Sequence, residues 1–403
     1  MNHKQHNKIP VLSFYSGGGF LDMGFERAGF EIVWTNENNE LFAKMHAAGI
    51  TSWRQSRGNG VKAEIFNTKS IEKIKTTDIL SEAFQNKKPA HFGIIGGPPC
   101  QDFSMYGSRG GFEGNRGKLT ILFFKKIMEL KPTFFVMENV TGLIRQKSNR
   151  EYLAKLLKKL QNFYFIDYKT LNALNFGVPQ NRERVFFVGI RKSKVNKRKL
   201  VVELNGQWFS WPVNSVYQDS LTKYSWPDAS DYGKRLTKPS EIPIELCVEN
   251  CLIQKEEIGQ VSNASEYFNL YVSEDKLNKI QEGQTNRPSF KRLHRFRYSP
   301  TACYGNNEVH LHPYKHRRIS VREALRIQGV PDEYVLPPEL PLSKKFKMIG
   351  NGVPVPLAEA VGAAMKKFLE SNGLLKTKKI NGHMVKGKEK PGNVQNQRKK
   401  HKA

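Results

Sequence analysis

The chain is short of cysteine, short of acid relative to base, and without a long apolar run, and each shortage removes a class of protein. Four cysteines, Cys100, Cys247, Cys251 and Cys303, are scattered through 403 residues, too few for the disulfide framework of a secreted scaffold. No apolar stretch approaches the ~20 residues that span a bilayer as a helix, and no basic start leads into a secretion segment. The sequence therefore reads as cytoplasmic, with no membrane partner. Cys247 and Cys251 lie close together without a second Cys or His pair at zinc spacing, so two ordinary thiols are the simpler reading and no metal is expected. The 37 acidic residues face 65 basic ones, a formal charge of +28. That excess is beyond what solubility needs and points to a polyanionic partner, nucleic acid first and an anionic membrane surface second.

The length allows a full core and suggests two or more domains. Val11 to Tyr15 reads as a strand, Ser16-Gly17-Gly18-Gly19 as a turn into a periodic segment ending at Gly29, and Glu31 to Asn36 as a second strand. This is a parallel α/β unit. The pattern continues with strands at Phe92 to Ile95, Thr133 to Met137 and Val185 to Ile190, and helices at Leu119 to Leu130 and Glu151 to Gln161. The expected fold class is α/β, a doubly wound, mostly parallel sheet whose ligands lie at the carboxyl ends of the strands. From about 200 to 290, aromatics, prolines and turns break any regular period, which reads as a smaller irregular domain. Helical spacing returns over Ser320 to Gln328 and Pro356 to Ser371, and the lysine-rich segment from about Leu375 to Ala403 is expected to be a disordered basic tail.

Several positions carry chemistry-bearing residues. Ile95-Gly96-Gly97-Pro98-Pro99-Cys100-Gln101-Asp102-Phe103-Ser104 presents a cysteine behind a rigid Pro-Pro step after a short apolar strand, a candidate nucleophile. The Gly17 to Gly19 turn lacks the spacing of the dinucleotide fingerprint. Glu37 nevertheless ends the next strand, where a carboxylate can accept both hydroxyls of a ribose; a tight loop is the equal alternative. Asp78 can lie at a following strand mouth and accept from an adenine amino group, or be solvated surface. Glu138 directly follows an apolar strand, where burial raises a carboxyl's pKa, although a lone glutamate there can equally cap a helix. Gln180, Arg182 and Arg184 alternate onto one side ahead of a strand, with Glu183 on the other. In the glycine-rich connection from Gly107 to Gly117, Arg109 and Arg116 can reach phosphates.

The ordered set Tyr15-x-Gly17-x-Gly19, Glu37, Asp78-Ile79, Pro98-Pro99-Cys100-Gln101, Glu138-Asn139-Val140, Gln180-x-Arg182-x-Arg184 and Gly350-Asn351-x-Val353-Pro354 resembles the DNA (cytosine-5) methyltransferase family of bacterial or phage restriction-modification type, over about residues 8 to 370. The resemblance implies a class I methyltransferase fold, with a catalytic domain at 1–190 and 319–374, a target recognition domain at 191–318 and the tail at 375–403. It implies S-adenosyl-L-methionine surrounded by Tyr15, Gly17, Gly19, Leu21, Glu37, Asp78, Ile79, Pro99, Leu119, Asn351 and Val353. Cys100 becomes the nucleophile at carbon 6 of a flipped-out cytosine and Glu138 the acid, with Arg184 holding the cytosine carbonyl and Arg182 supporting the site. Gln101, Ser104 and Gln180 join Arg109 and Arg116 as DNA-side residues. The partners implied are double-stranded DNA with a short recognition sequence and a cognate restriction endonuclease acting separately; a monomer is expected.

Sequence selection falls to about 200 to 290 and the adjoining Lys291 to Tyr298, with Arg287, Arg292, Arg295 and Arg297 as candidates for phosphate or guanine contacts. The chain departs from the family pattern at Tyr15, Phe20, Val330 and Met348, none of which removes a catalytic group. A zinc-dependent deaminase needs a second cysteine where Phe103 stands. An RNA cytosine-5 methyltransferase on the same fold and a catalytically silent DNA-binding module remain as the alternatives.

Overall fold

Short continuous apolar runs build a sheet whose central strands are buried on both faces. The computed structural model describes residues 8–58, 66–99, 117–196, 207–304 and 308–375. Cys100, Gln101, Ser104, Arg109, Arg116 and residues 376–403 of the expected tail lie outside the described residues, while Leu375 packs against the core. Strands β1 (Pro10–Phe14), β2 (Glu31–Asn36), β3 (Phe66–Asn67), β4 (Gly93–Gly96), β5 (Phe134–Asn139), β6 (Tyr164–Asn172) and β7 (Glu183–Arg191) form one seven-stranded sheet in the order β3-β2-β1-β4-β5-β7-β6. From β3 to β5 all neighbours are parallel, and β7 runs antiparallel to both β5 and β6. The strand order reverses between β1 and β4, so their carboxyl ends open the crevice in which open α/β sheets bind ligands.

Alternate side chains feed two separate cores. Val11, Ile95, Val136 and Val188 face one that also holds Leu21, Phe25, Leu357, Val361 and Met365. Leu12, Ile94, Phe135, Met137 and Phe187 face the other, with Phe123, Ile127, Leu153 and Leu157. The helices described are α1 (Phe20–Arg27), α2 (Glu40–Ser56), α3 (Thr76–Phe84), α4 (Gly117–Leu130), α5 (Gly142–Arg145), α6 (Lys147–Leu160), α7 (Ser220–Lys223), α8 (Glu274–Asn278), α9 (Val321–Ile327), α10 (Leu342–Asn351) and α11 (Val355–Ser371), and α1, α4, α6 and α11 supply the helical residues just named. The chain's end returns to its beginning: α11 lies so close on α1 that a Cβ on Gly24 would stand 2.4 Å from that of Ala358.

The segment expected as a separate recognition domain shares its apolar residues with the rest. Trp208, Phe209 and Trp211 join the core beneath α11. Val248, Leu252, Leu293, Ala302 and Tyr304 join a third core with Phe20, Trp53, Leu325, Tyr334 and Phe346. Its backbone has short helical turns and isolated bridges, in keeping with the irregular composition. Where helical period returns, α9 starts with a capping box: Ser320 Oγ accepts from the Glu323 amide, and Glu323 accepts from the Ser320 amide at 2.7 Å.

Two buried histidines lie in this region. His310 and His312 are 6% and 0% exposed, and burial pushes their pKa values down to about 3 and about 2. Against an unfolded value of about 6.5, the unfolded chain binds more protons between those limits, so stability is full above about pH 6.5 and declines as pH falls below it. Urea unfolding at pH 7, 6 and 5 should show this decline, by up to about 1.4 kcal/mol per pH unit for each histidine. His312→Gln should make the slope shallower; an unchanged slope would mean that His312 is not held neutral.

Candidate active site

The turn after β1 is shaped for a ligand. Tyr15, Gly17 and Gly19 all have positive φ, 54°, 55° and 77°, the left-handed region that glycine enters without strain. Gly19 caps α1, and nothing lies within 4 Å of where a Cβ on Gly17 would be. The buried Oγ of Ser16 has no partner among the described residues. Glu37, at the end of β2, accepts from the Gly17 amide at 3.0 Å and, through its other oxygen, from the Asn39 amide at 2.9 Å. Each carboxylate oxygen keeps a further lone pair, enough to accept two hydroxyls. Burial holds the Glu37 carboxyl above the ordinary range, although the Asn39 and Gly17 amides oppose that shift. An orphaned polar atom, open space at a glycine and a carboxylate with spare acceptor capacity fit a nucleoside-bearing cofactor.

The other residues expected around the cofactor lie on other elements. Tyr15 donates its hydroxyl to the Leu119 carbonyl at 3.0 Å, tying the turn to α4. Ile79 is fully buried and Leu21 and Val353 nearly so, while Asn351, the last residue of α10, is exposed. Asp78 is not at a strand mouth. The strand β3 is two residues long, and the chain then takes a tight turn at Ile71–Lys73, so Asp78 falls in the exposed first turn of α3. There a carboxylate faces the positive end of the helix.

At the neighbouring strand ends, Glu138 is buried and held by Arg184, whose Nε lies 3.0 Å from Glu138 Oε1. Burial raises the Glu138 pKa even though the charges of Arg184 and Arg182 oppose it. A Cβ on Gly97 would meet Glu138 Oε2 at 2.9 Å, and the Asn139 side chain donates to the Pro98 carbonyl at 3.4 Å. The Gly97-Pro98-Pro99 turn is thus laid against the acid, and Cys100 follows Pro99 in the chain.

Arg182 and Gln180 take internal positions rather than DNA-facing ones. Both are 0% exposed, and β7 begins only at Glu183, so the two residues lie in an irregular stretch that bridges to Ser299. Arg182 donates to the carbonyls of Ala302, Gly350 and Gly352 at 3.2, 2.8 and 2.9 Å. Gln180 accepts from the Ala302 amide and donates to Gln328 and to the Ile327 carbonyl. Glu183 points the other way, to Arg145. Arg292 is likewise an internal clamp, fully buried, with donors on the carbonyls of Ile280, Leu277 and His312. Arg295 is engaged by both oxygens of Glu282. Arg287 donates to Gln284, and Arg297 is half-buried beside Tyr298.

Residues that the sequence reading passed over complete the site. Ser13 donates to Asp22 at 2.6 Å, and His46 lies 3.7 Å from the other Asp22 oxygen, a buried polar group beneath the glycine turn. An acid and a histidine on the apolar faces of α1 and α2 were its sequence signal. Tyr334 donates to the Gly18 carbonyl at 2.7 Å, a contact no local pattern announces. The departures from the family pattern fit this packing: Phe20 stands edge-on to Tyr334, Met348 closes on Gly18, and Val330 is buried in the third core.

Arg182→Met should strand three buried carbonyls. The expected result is a loss of roughly 2–3 kcal/mol in unfolding free energy together with weaker cofactor binding by calorimetry, because Gly350 and Gly352 flank Asn351. Tyr15→Phe, which removes one hydrogen bond, should cost about 1 kcal/mol or less. Equal effects for the two variants would deny Arg182 its role as a clamp.

Comparison with known proteins matches this arrangement. The model of the C-5 cytosine-specific DNA methylase family covers residues 9–367. The chain is 38% identical over 373 residues to the type II methyltransferase M.NmeDI of Neisseria meningitidis serogroup C, covering 92% of this chain and 86% of that one. It is 31% identical over 382 residues to the type II methyltransferase M.FnuDI of Fusobacterium nucleatum, covering 91% and 97%. Among solved structures, a chain described as a DNA modification methyltransferase encoded within an E. coli prophage has the same fold, with a TM-score of 0.61 at 24% identity over 90% of this chain and all of that one. The chain belongs to the C-5 cytosine-specific DNA methylase family and is a DNA cytosine-5 methyltransferase.

Proposed function

We propose that this enzyme methylates carbon 5 of a cytosine turned out of a specific duplex sequence, with Cys100 as nucleophile, Glu138 as acid and S-adenosyl-L-methionine as methyl donor. The observation that carries the reading is the buried Glu138–Arg184 pair set against the Gly97-Pro98-Pro99 turn. Carbon 5 of cytosine is a weak nucleophile within an aromatic ring. Attack of the Cys100 thiolate on carbon 6, with Glu138 giving a proton or hydrogen bond to ring nitrogen 3, turns it into an enamine-like centre. The elevated Glu138 pKa supports this role, since a carboxyl that holds its proton nearer neutrality can donate it. Arg184 keeps Glu138 in place through Nε and has donors left for the cytosine carbonyl. The cofactor supplies an electrophilic methyl group, and Tyr15, Glu37 and the Gly17–Gly19 turn would hold it. Loss of the carbon 5 proton then lets the Cys100 sulfur leave.

Double-stranded DNA as substrate is supported by the +28 charge, which favours a polyanion without choosing a sequence. The resemblance to type II methyltransferases supports the modification half of a restriction-modification pair, with a separate endonuclease and with cytoplasmic DNA as the target. We take the active unit to be a monomer.

Transfer of labelled methyl groups to unmodified duplex DNA tests the reading, with matched RNA in parallel and the modified base mapped afterwards. Wild-type protein should label cytosine carbon 5 in DNA. Cys100→Ala should abolish labelling, and Glu138→Gln should slow it by about 10²- to 10⁴-fold. Labelling of RNA alone would transfer the assignment to RNA, and labelling of neither by folded protein would leave a DNA-binding module.

A further inference from the structure

We propose that Tyr334 is a positioning residue for the methyl donor: through the Gly18 carbonyl, its hydroxyl holds the glycine turn after β1 in the shape that receives S-adenosyl-L-methionine. The inference rests on the cofactor reading given above. The turn carries three successive glycines, Gly17 to Gly19, and a glycine run has more conformational freedom to lose than any other sequence. A contact from outside the turn selects one shape. Both polar groups of the peptide unit that joins Gly18 to Gly19 are held: its carbonyl accepts from Tyr334 Oη at 2.7 Å, and its N–H donates to the Ser16 carbonyl at 2.8 Å. A peptide unit is planar, so holding the two groups fixes its orientation. That orientation sets the 77° φ of Gly19, the residue that caps α1, and keeps the preceding Gly17 amide on Glu37 at 3.0 Å. Gly18 is buried, so removing the hydroxyl takes away a donor that solvent does not replace.

Tyr334 is itself held from three sides. Arg322 donates to the Tyr334 carbonyl at 2.8 Å and to the Pro331 carbonyl at 3.1 Å. The next amide, that of Val335, donates to Ser52 Oγ on α2 at 3.0 Å. Leu336 exchanges both backbone groups with the Asn263 side chain, at 3.0 and 2.9 Å. The ring is fixed too: it stands edge-on to Phe20 with centroids 5.5 Å apart, and a Cβ on Gly49 would come within 2.1 Å of it. A phenylalanine would fill the same space. What the tyrosine adds is a hydroxyl in a site that is 0% exposed, which costs free energy unless it is hydrogen-bonded. Its proton lies between the Gly18 carbonyl at 2.7 Å and the Met45 carbonyl at 3.4 Å, and the shorter contact is the one to the turn. A clamped donor aimed at a flexible loop is a pre-organised support.

The test titrates the full chain with S-adenosyl-L-methionine by calorimetry, without DNA, as wild type, Tyr334→Phe and Tyr164→Phe. Tyr164 is the matched control, 1% exposed and donating to the Pro132 carbonyl at 3.0 Å. It opens β6, four places from β1 in the sheet, roughly 19 Å at about 4.8 Å per strand.

Tyr334→Phe should weaken cofactor binding by about 3- to 10-fold. The KM for the cofactor should rise by a similar factor in methyl transfer, with kcat and the KM for DNA within about twofold of wild type. Both variants should lower the urea midpoint, and Tyr164→Phe should bind the cofactor as wild type does. The proposal is overturned if Tyr334→Phe binds the cofactor as tightly as wild type, or if the two variants weaken binding equally, the mark of general loosening. If Tyr334→Phe does not fold, Ser52→Ala, which releases the Val335 amide while keeping the tyrosine, decides: weaker binding sustains the proposal and wild-type binding overturns it. Wild-type protein that does not bind S-adenosyl-L-methionine would overturn the cofactor reading instead, and this inference with it.

Discussion

The guanidinium of Arg182 holds three distant stretches of chain in one arrangement. From the approach to β7 it reaches the carbonyls of Ala302 and of Gly350 and Gly352, on either side of Asn351. Two residues on, the same stretch delivers Arg184 to Glu138. Burying a guanidinium costs several kcal/mol, and charge-assisted hydrogen bonds of about 1.5–3 kcal/mol each offset it. The arrangement works only when all three segments are present together, so the segment around Ala302, the stretch flanking Asn351 and the Glu138–Arg184 pair share one support.

Around that clamp, the sheet sets where chemistry can occur. Strands buried on both faces expose side chains only at their ends, and the reversal of order between β1 and β4 brings two such ends side by side. One end carries the glycine turn and, through β2, Glu37. The other carries the Pro98-Pro99 turn against Glu138. Low dielectric around both carboxyls raises their pKa values, which suits one to proton donation and leaves the other dependent on backbone amides for its charge. Electrostatics at long range plays a different part. The surplus of basic residues attracts a polyanion without distinguishing sequences, so discrimination has to come from contacts to base edges.

The amino-acid sequence by itself determined the strand and helix alternation, the mostly parallel sheet and the placing of candidate site residues at strand ends. These depend on short continuous apolar runs, on glycines where φ is positive and on acids next to buried strands, all of which are local. The places of Tyr15, Glu37 and Glu138 at strand ends were legible for that reason. The tertiary structure alone decided which polar residues face inward. Arg182, Gln180 and Arg292 look in sequence like any DNA-binding side chains, yet their partners are carbonyls as many as 170 residues away. Between a strand mouth and solvated surface the sequence left Asp78 open, because a two-residue strand leaves almost no periodicity to read, and the fold puts it on the exposed first turn of α3. The Tyr334 bond to Gly18 spans 316 residues, and the polar group of Ser13, Asp22 and His46 exists only once α1 and α2 pack together. Which charges meet water and which meet carbonyls is set by contacts made after the chain closes on itself, and no window of neighbouring residues contains that information.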